Sequence, residues 1–140
     1  KDGVYPVNST PYLLDGIIYG VDVDKSALMA VDMDSGKRLW ENRAPCLSKE
    51  IAGRSRVPRY GTAFLVYHPG NRQFWILGEM GDLIVAELSP QGYREVSRAR
   101  VLEPTNTSGS RKVLWSHPAF AMRSVFLRND RELIRIDLAE

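Results

Sequence analysis

Three sets of residues in the sequence are of types that could do chemistry, and the first is an aspartate-rich turn. Asp22, Asp24 and Ser26 stand at the first three ligand spacings of a calcium-binding loop, in which side-chain oxygens bind the ion. The glycine that such a loop needs at its sixth position is replaced by Ala27, and the glutamate at its twelfth by Met33. The pattern therefore favours a solvated turn, and we predict no metal site.

The other two sets are a cysteine and a serine–histidine pair. Cys46 is the only cysteine, which excludes an internal disulfide and a zinc site built from several cysteines, and we predict an ordinary buried or half-buried residue. Ser116 and His117 are adjacent, and adjacent side chains of a strand point to opposite faces. We therefore expect His117 to be a structural residue that forms hydrogen bonds between strands, and we predict no catalytic residues.

The elements that must position these side chains are clearest in the stretch Gln73–Leu88. Two apolar runs, Phe74–Leu77 and Leu83–Ala86, flank a short polar link that contains Gly78 and Gly81. Each run is too short for a stable helix and is rich in β-branched or aromatic residues, so the stretch predicts a β-hairpin. Both runs are apolar at nearly every position, which indicates a sheet that is covered on both faces.

The same unit recurs along the chain. An acidic residue between apolar neighbours occurs at Asp32, Glu87 and Asp137, which are 55 and 50 residues apart. Two short apolar strands precede each acid, and the first two units add a more polar strand at Lys37–Glu41 and Tyr93–Val101. Four short antiparallel strands at a period of roughly 40–50 residues are typical of a β-propeller blade. A β-sandwich of short strands is the alternative, although it does not require three copies of one motif.

We therefore predict an all-β chain with about three four-stranded antiparallel blades of a partial β-propeller. The prediction treats residues 1–140 as a single domain, with blade-like units at about residues 8–45, 60–103 and 113–140. Propellers generally close with ~4–8 blades, so three blades form an arc. We expect the two end faces of that arc to be apolar and edged by unpaired strands.

Composition excludes few functions. Hydrophobic residues make up 44% and charged residues 26% of the 140 residues, as in ordinary soluble domains. The formal net charge of +2 is too small to argue for nucleic acid. No apolar run approaches the ~18 residues of a membrane span. We expect neither a nucleic-acid partner nor a membrane-spanning segment.

Two stretches between the repeated units are polar. The most basic is Asn42–Arg59, which we predict to be a solvated loop between blades; the alternative is a face that meets an acidic partner or an anionic ligand. It contains no aromatic residue on which a base could stack, which argues against single-stranded nucleic acid. The second stretch, Pro104–Lys112, is also predicted to be a loop.

One motif within the first unit resembles a known family. Ala30, Asp32, Gly36 and Trp40 form the pattern Ala-x-Asp-x-x-x-Gly-x-x-x-Trp, which follows a Gly-x-Ile-Tyr segment. This pattern is similar to the repeat of pyrroloquinoline-quinone-type (PQQ-like) β-propellers, and the second half of the chain resembles the C-terminal blades of such bacterial proteins. The resemblance implies that these four residues are structural, with Trp40 packed on the neighbouring blade. In the second unit Val85, Glu87 and Gly92 take the places of the first three, with one residue inserted, and Val96 stands where the tryptophan would be.

The resemblance implies one of two functions. Some PQQ-like propellers are quinoprotein dehydrogenases that bind PQQ on the propeller axis, usually with calcium, and oxidise alcohols or sugars with the help of a stacking tryptophan and a catalytic carboxylate. Others, which resemble the outer-membrane assembly factor BamB, are protein-binding scaffolds without chemistry. The dehydrogenases often also hold the cofactor with a pair of adjacent cysteines. This sequence has neither such a cysteine pair nor a convincing set of calcium ligands. We therefore expect a non-catalytic scaffold that binds a protein or a ligand, with no cofactor in this chain.

The alternative is part of a PQQ-dependent alcohol or sugar dehydrogenase whose cofactor site lies largely outside these residues; the cofactor-binding residues stay unassigned. Residue 1 is Lys and not Met, so we expect the chain to belong to a longer protein. The expected partners are another protein or further N-terminal blades of the same propeller, with self-association as a further route. As an alternative to self-association, residues 1–7 would cap the last unit, which lacks an outer strand of its own. The resemblance implies a periplasmic or secreted location.

Overall fold

The computed structural model describes residues 3–139, without the side chains of residues 49 and 50. Its first sheet has four antiparallel strands in chain order, and its second sheet repeats that order. The first sheet consists of β1 (Tyr12–Leu14), β2 (Ile17–Asp22), β3 (Ala27–Asp32) and β4 (Arg38–Asn42). The second consists of β5 (Ala63–His68), β6 (Gln73–Gly78), β7 (Asp82–Ser89) and β8 (Gly92–Arg100).

The third sheet has three antiparallel strands, again in chain order. These are β11 (Ala119–Ala121), β12 (Ser124–Arg128) and β13 (Leu133–Asp137). A one-turn helix, α1 (Lys49–Ala52), lies between the first two sheets, and a small hairpin of β9 (Asn106–Ser108) and β10 (Arg111–Val113) lies between the last two. The all-β prediction with blade-like antiparallel sheets is confirmed. No helix of the described chain is long and apolar enough to cross a membrane.

The second sheet is covered on both faces, as its apolar pattern predicts. Phe74 and Ile76 of β6 face a core shared with the first sheet, whereas Trp75 and Leu77 face a core shared with the third. This division follows from the period of two residues along a strand. Because the sheet loses water on both sides, β6 and β7 contain almost no polar residue in their central positions.

Both polar stretches between the units depart from the predictions. In the basic stretch, Cys46 and Leu47 are buried in the core between the first two sheets, so the prediction of a solvated loop is wrong for these residues. Arg43 Nε donates to the backbone oxygen of Lys25, at 3.2 Å, which holds the stretch against the first sheet. The prediction of a loop over Pro104–Lys112 is also wrong, since β9 and most of β10 form there.

The outer face of the first sheet is not simply open, contrary to the expectation for an arc. Gly20 points away from the shared core, and a methyl group on it would overlap Val4 and crowd Pro11. The N–H of Val23 also donates to the backbone oxygen of Tyr5 at 3.2 Å. The described part of the lead-in segment therefore packs on the first sheet, and not on the third as the capping alternative required. Residues 1 and 2 of that segment lie outside the described residues.

Candidate functional site

The turn between β6 and β7 carries a carboxylate that is fully buried. Glu79 accepts a hydrogen bond from Arg111 Nε at 2.8 Å on Oε1, and one from Arg111 Nη2 at 3.2 Å on Oε2. Its Oε2 also accepts from the indole N–H of Trp115 at 3.1 Å and from the backbone N–H of Thr62 at 3.2 Å. Both oxygens are therefore satisfied by groups from the second sheet and the following connection, as a buried charge requires.

The guanidinium of Arg111 is also bound on its other sides. Its Nη1 donates to the backbone oxygen of Arg59 at 2.7 Å, and its Nη2 donates to that of Tyr60. The backbone N–H of Leu114 donates to the backbone oxygen of Glu79 at 2.8 Å. This arrangement joins the segment before β5, the β6–β7 turn and the β9–β10 hairpin. A carboxylate held in this way connects these three elements of the fold.

A second ionic cluster lies on the polar strand β8. Arg98 donates to Asp82 Oδ2 at 2.9 Å, to Glu95 Oε2 at 3.0 Å and to the backbone oxygen of Ala44 at 2.9 Å. The other oxygen of Asp82 accepts from Arg100 Nε at 2.7 Å. Burial, together with a hydrogen bond to Glu95, raises the pKa of the neighbouring Tyr93. The cluster fixes the connection from the first sheet onto the second.

The four motif residues lie together at the end of the first sheet. Ala30 is fully buried in β3 and is the register partner of Trp40 in β4. The indole N–H of Trp40 donates to the backbone oxygen of Ser89 in the second sheet, at 2.8 Å. Asp32 Oδ1 accepts from the N–H and the hydroxyl of Ser35, and these bonds lower the pKa of the Asp32 carboxyl. Gly36 takes a φ of 68°, which favours glycine.

The aspartate-rich turn is organised by its own backbone. Asp22 Oδ1 accepts from the N–H groups of Asp24 and Lys25, at 2.9 and 3.3 Å. The hydroxyl of Ser26 points the other way and donates to the backbone oxygen of Pro58 at 2.7 Å. Within the described part of the chain, no group of three or more His, Cys, Asp or Glu side chains is placed to hold a metal ion.

The serine and histidine do not form a catalytic pair. His117 lies in the segment between β10 and β11, its ring contacts Phe64 with centroids 5.1 Å apart, and its Nδ1 lies 3.3 Å from the oxygen of the adjacent Pro118. The expectation of a hydrogen bond between strands is therefore wrong. Ser116 donates to the backbone oxygen of Arg128. Cys46 is fully buried as predicted, and burial, reinforced by the negative charge of Glu79, raises the pKa of its thiol.

Two clefts lie between the sheets, beside the turns that join the first two strands of each sheet. The cleft between the first and second sheets has a volume of about 350 Å³ and is crossed by an ion pair, with Arg72 Nη2 2.7 Å from Asp15 Oδ2. The cleft between the second and third sheets has a volume of about 390 Å³ and is lined by Trp75, Phe120 and Arg123, among others. Sequence reasoning missed both clefts, because each is formed by turns that are far apart in the chain.

No protein-family model matches the sequence, and no curated protein matches it significantly. Among solved structures, the chain is similar to the quinohemoprotein alcohol dehydrogenase from Comamonas testosteroni, with 22% sequence identity and a TM-score of 0.49. The similarity covers 90% of this chain and 17% of that protein, so this chain spans less than a fifth of the dehydrogenase's length.

The three tryptophans of the chain all contact other side chains of the described residues. Here Trp40 packs on Tyr19 and Trp75 packs on Phe120, with ring centroids 6.1 and 5.6 Å apart. The indole N–H of the remaining tryptophan, Trp115, is bonded to Glu79. That carboxylate is in turn neutralised by an arginine, which a cation would have to displace.

Proposed function

We propose that this chain is a non-catalytic, propeller-type scaffold that binds a protein partner or a small ligand. The observation that carries the proposal is the state of Glu79, the fully buried carboxylate. Its oxygens accept hydrogen bonds from Arg111, Trp115 and the backbone of Thr62, so the group serves to join elements of the fold. The resemblance to PQQ-like repeats supports the same function, and supports a periplasmic or secreted location in a bacterium.

The free edge of the third sheet is the feature best suited to a protein partner. Among the described strands, β13 pairs with β12 alone, whereas the first two sheets have a fourth strand. The N–H of Leu138 donates to the backbone oxygen of Arg123 at 2.8 Å, and alternate residues of an antiparallel ladder bond across the pair. Arg135 therefore points its N–H to the open side. An unpaired edge of this kind accepts an added strand, from another protein, from further blades or from a second copy.

Sedimentation at micromolar concentration tests this proposal with a second copy as the available partner. We expect the wild-type chain to associate and the Arg135→Pro variant to shift towards the monomer. Proline removes the outward N–H without removing a backbone hydrogen bond to β12, although it loses the bond from Arg135 Nε to Ser124 Oγ, at 2.9 Å. Alanine loses the same side-chain bond. Arg135→Ala keeps the N–H and is the matched control, with circular dichroism to verify that both variants fold. A concentration-independent wild-type monomer, or equal effects of the two substitutions, would contradict binding through this edge.

The alternative function is part of a PQQ-dependent alcohol or sugar dehydrogenase, and the repeat motif that ends at Trp40 favours it. A single assay distinguishes the two functions. After addition of PQQ and calcium, we expect no dye-linked oxidation of alcohols or sugars by this chain. Stoichiometric binding of PQQ with turnover would establish the dehydrogenase and overturn the scaffold.

A further inference from the structure

We propose that the cleft between the second and third sheets binds a small organic anion with an apolar, flat body and one carboxylate. This inference rests on the scaffold function proposed above and assigns a ligand class to one of its surfaces. The volume of about 390 Å³ is within the range of small-molecule sites, roughly 300–1,000 Å³. The cleft is lined by His68, Trp75, Phe120, Met122, Arg123 and Leu138.

The walls of the cleft provide an apolar surface for the body of the ligand. The rings of Trp75 and Phe120 meet edge to face, with centroids 5.6 Å apart, and both are partly buried against the core of the second and third sheets. Leu138 packs on the same core. Met122 is 77% exposed at the rim, where its unbranched side chain can adapt to a bound molecule. Flat aromatic or branched apolar groups bury most area on such walls.

The neighbouring cleft between the first two sheets indicates what is missing from this one. Arg72 directly precedes β6, has a φ of 56° and reaches Asp15 in the corresponding turn of the first sheet, at 2.7 Å. Arg123 directly precedes β12 and has a φ of 52°. The two arginines therefore occupy equivalent places in successive sheets. In the first cleft, the arginine meets a carboxylate from the preceding sheet.

The second cleft has no such carboxylate. The preceding sheet contributes His68, the last residue of β5, and none of the residues that line the second cleft is acidic. Within residues 3–139, the guanidinium of Arg123 has no ion-pair partner. A guanidinium is a planar donor that matches a carboxylate in a two-bond geometry, so an organic acid would replace the absent aspartate. One arginine beside apolar walls matches a monoanion and not a polyphosphate.

Binding of 2-naphthoate tests the proposal, with 2-naphthylmethanol as the neutral probe of similar shape. We expect naphthoate to bind saturably, with backbone amide shifts at Met122, Arg123 and Ser124 in heteronuclear NMR spectra. We expect the alcohol to bind at least about tenfold more weakly, because it loses the charge-assisted hydrogen bonds. This comparison uses the wild-type chain and so does not depend on the folding of any variant. Equal affinities, or no saturable naphthoate binding, would overturn the proposal.

Three variants locate the site. Arg123→Gln should weaken naphthoate binding at least about tenfold, whereas Arg128→Gln, which changes an exposed arginine of the same sheet outside the cleft, should leave it unchanged. His68→Glu adds a carboxylate to the lining of the same cleft and should weaken the binding of naphthoate by charge repulsion and by competition for Arg123. Unchanged binding in Arg123→Gln would overturn the proposal. Strand addition at β13 is measured separately, so a failure here with association intact would leave the scaffold function standing.

Discussion

Arg111 Nε lies 2.8 Å from Glu79 Oε1, in an ion pair whose carboxylate is fully buried. Glu79 belongs to the turn between β6 and β7, and Arg111 begins β10 in the connection to the third sheet. The pair thus joins the second sheet to the segment that leads to the third. Removal of one partner from a buried pair leaves the other charge without compensation, which is the costly case.

We therefore expect Arg111→Ala to lower the free energy of unfolding by about 3–5 kcal/mol. Urea denaturation followed by tryptophan fluorescence measures the change. Arg131→Ala is the matched control, because its side chain is exposed, and it should stay within about 0.5 kcal/mol of the wild type. Similar small losses of unfolding free energy for both variants would show that the buried ion pair does not stabilise the fold.

Trp40 should stabilise the contact between the first two sheets. Its ring lies beside Tyr19, and its indole N–H donates to the backbone oxygen of Ser89 across the contact, at 2.8 Å. Trp40→Ala should cost roughly 3–5 kcal/mol of unfolding free energy. Trp40→Phe retains most of the apolar area and isolates the hydrogen bond, at about 1 kcal/mol. If the alanine variant loses less than about 1 kcal/mol, Trp40 is not packed in the contact between the first two sheets.

Gly81 is the position at which glycine is required most strictly. Its φ is 87°, and a Cβ atom there would lie 1.7 Å from the backbone oxygen of Leu102. Gly36 has a φ of 68°, but a Cβ on it would meet open space. We expect Gly81→Ala to lower the free energy of unfolding by about 3 kcal/mol or more. Gly36→Ala should lower it by only about 1–2 kcal/mol, because that substitution causes backbone strain without a steric clash. Thermal and urea unfolding of both variants would measure the difference, and equal losses would contradict the steric argument.

Cys46 should make stability fall at alkaline pH. Burial, together with the charge of Glu79, raises the pKa of this thiol, so it stays protonated in the folded chain. In the unfolded chain the thiol of Cys46 ionises at about pH 8.5. The contribution of the protonated thiol to the unfolding free energy is therefore complete below that pH and is lost progressively above it. Between about pH 8 and 9.5, the unfolding free energy of the wild type should fall more steeply than that of Cys46→Ala.

A thiol-specific disulfide reagent provides the independent check on Cys46. The folded chain should react slowly and the urea-unfolded chain rapidly, because only the thiolate is nucleophilic. Fast reaction of the native chain would show that the thiol is accessible, and would contradict its burial.

The strands and tight turns of this protein could be predicted from the sequence because their causes are local. The apolar runs of Gln73–Leu88 and their glycine-containing link specify β6 and β7 through alternation and turn chemistry. Asp32 and Gly36 specify the turn between β3 and β4 in the same way, through a side-chain hydrogen bond and a positive φ. The strand order of each sheet follows, since consecutive strands joined by short turns pair with each other.

Only the tertiary structure decided which side chains meet across the sheets. Arg111 is 32 residues from Glu79, and Arg72 is 57 residues from Asp15, so no local pattern relates either pair. Whether an arginine in a turn finds a carboxylate depends on how successive sheets stack. The stacking gives Arg72 its partner Asp15 and places Arg123 in a cleft without an acidic residue. The burial of Glu79 likewise depends on the segment that covers the β6–β7 turn. The Glu79–Arg111 ion pair and the cleft between the second and third sheets therefore both depend on how the sheets pack.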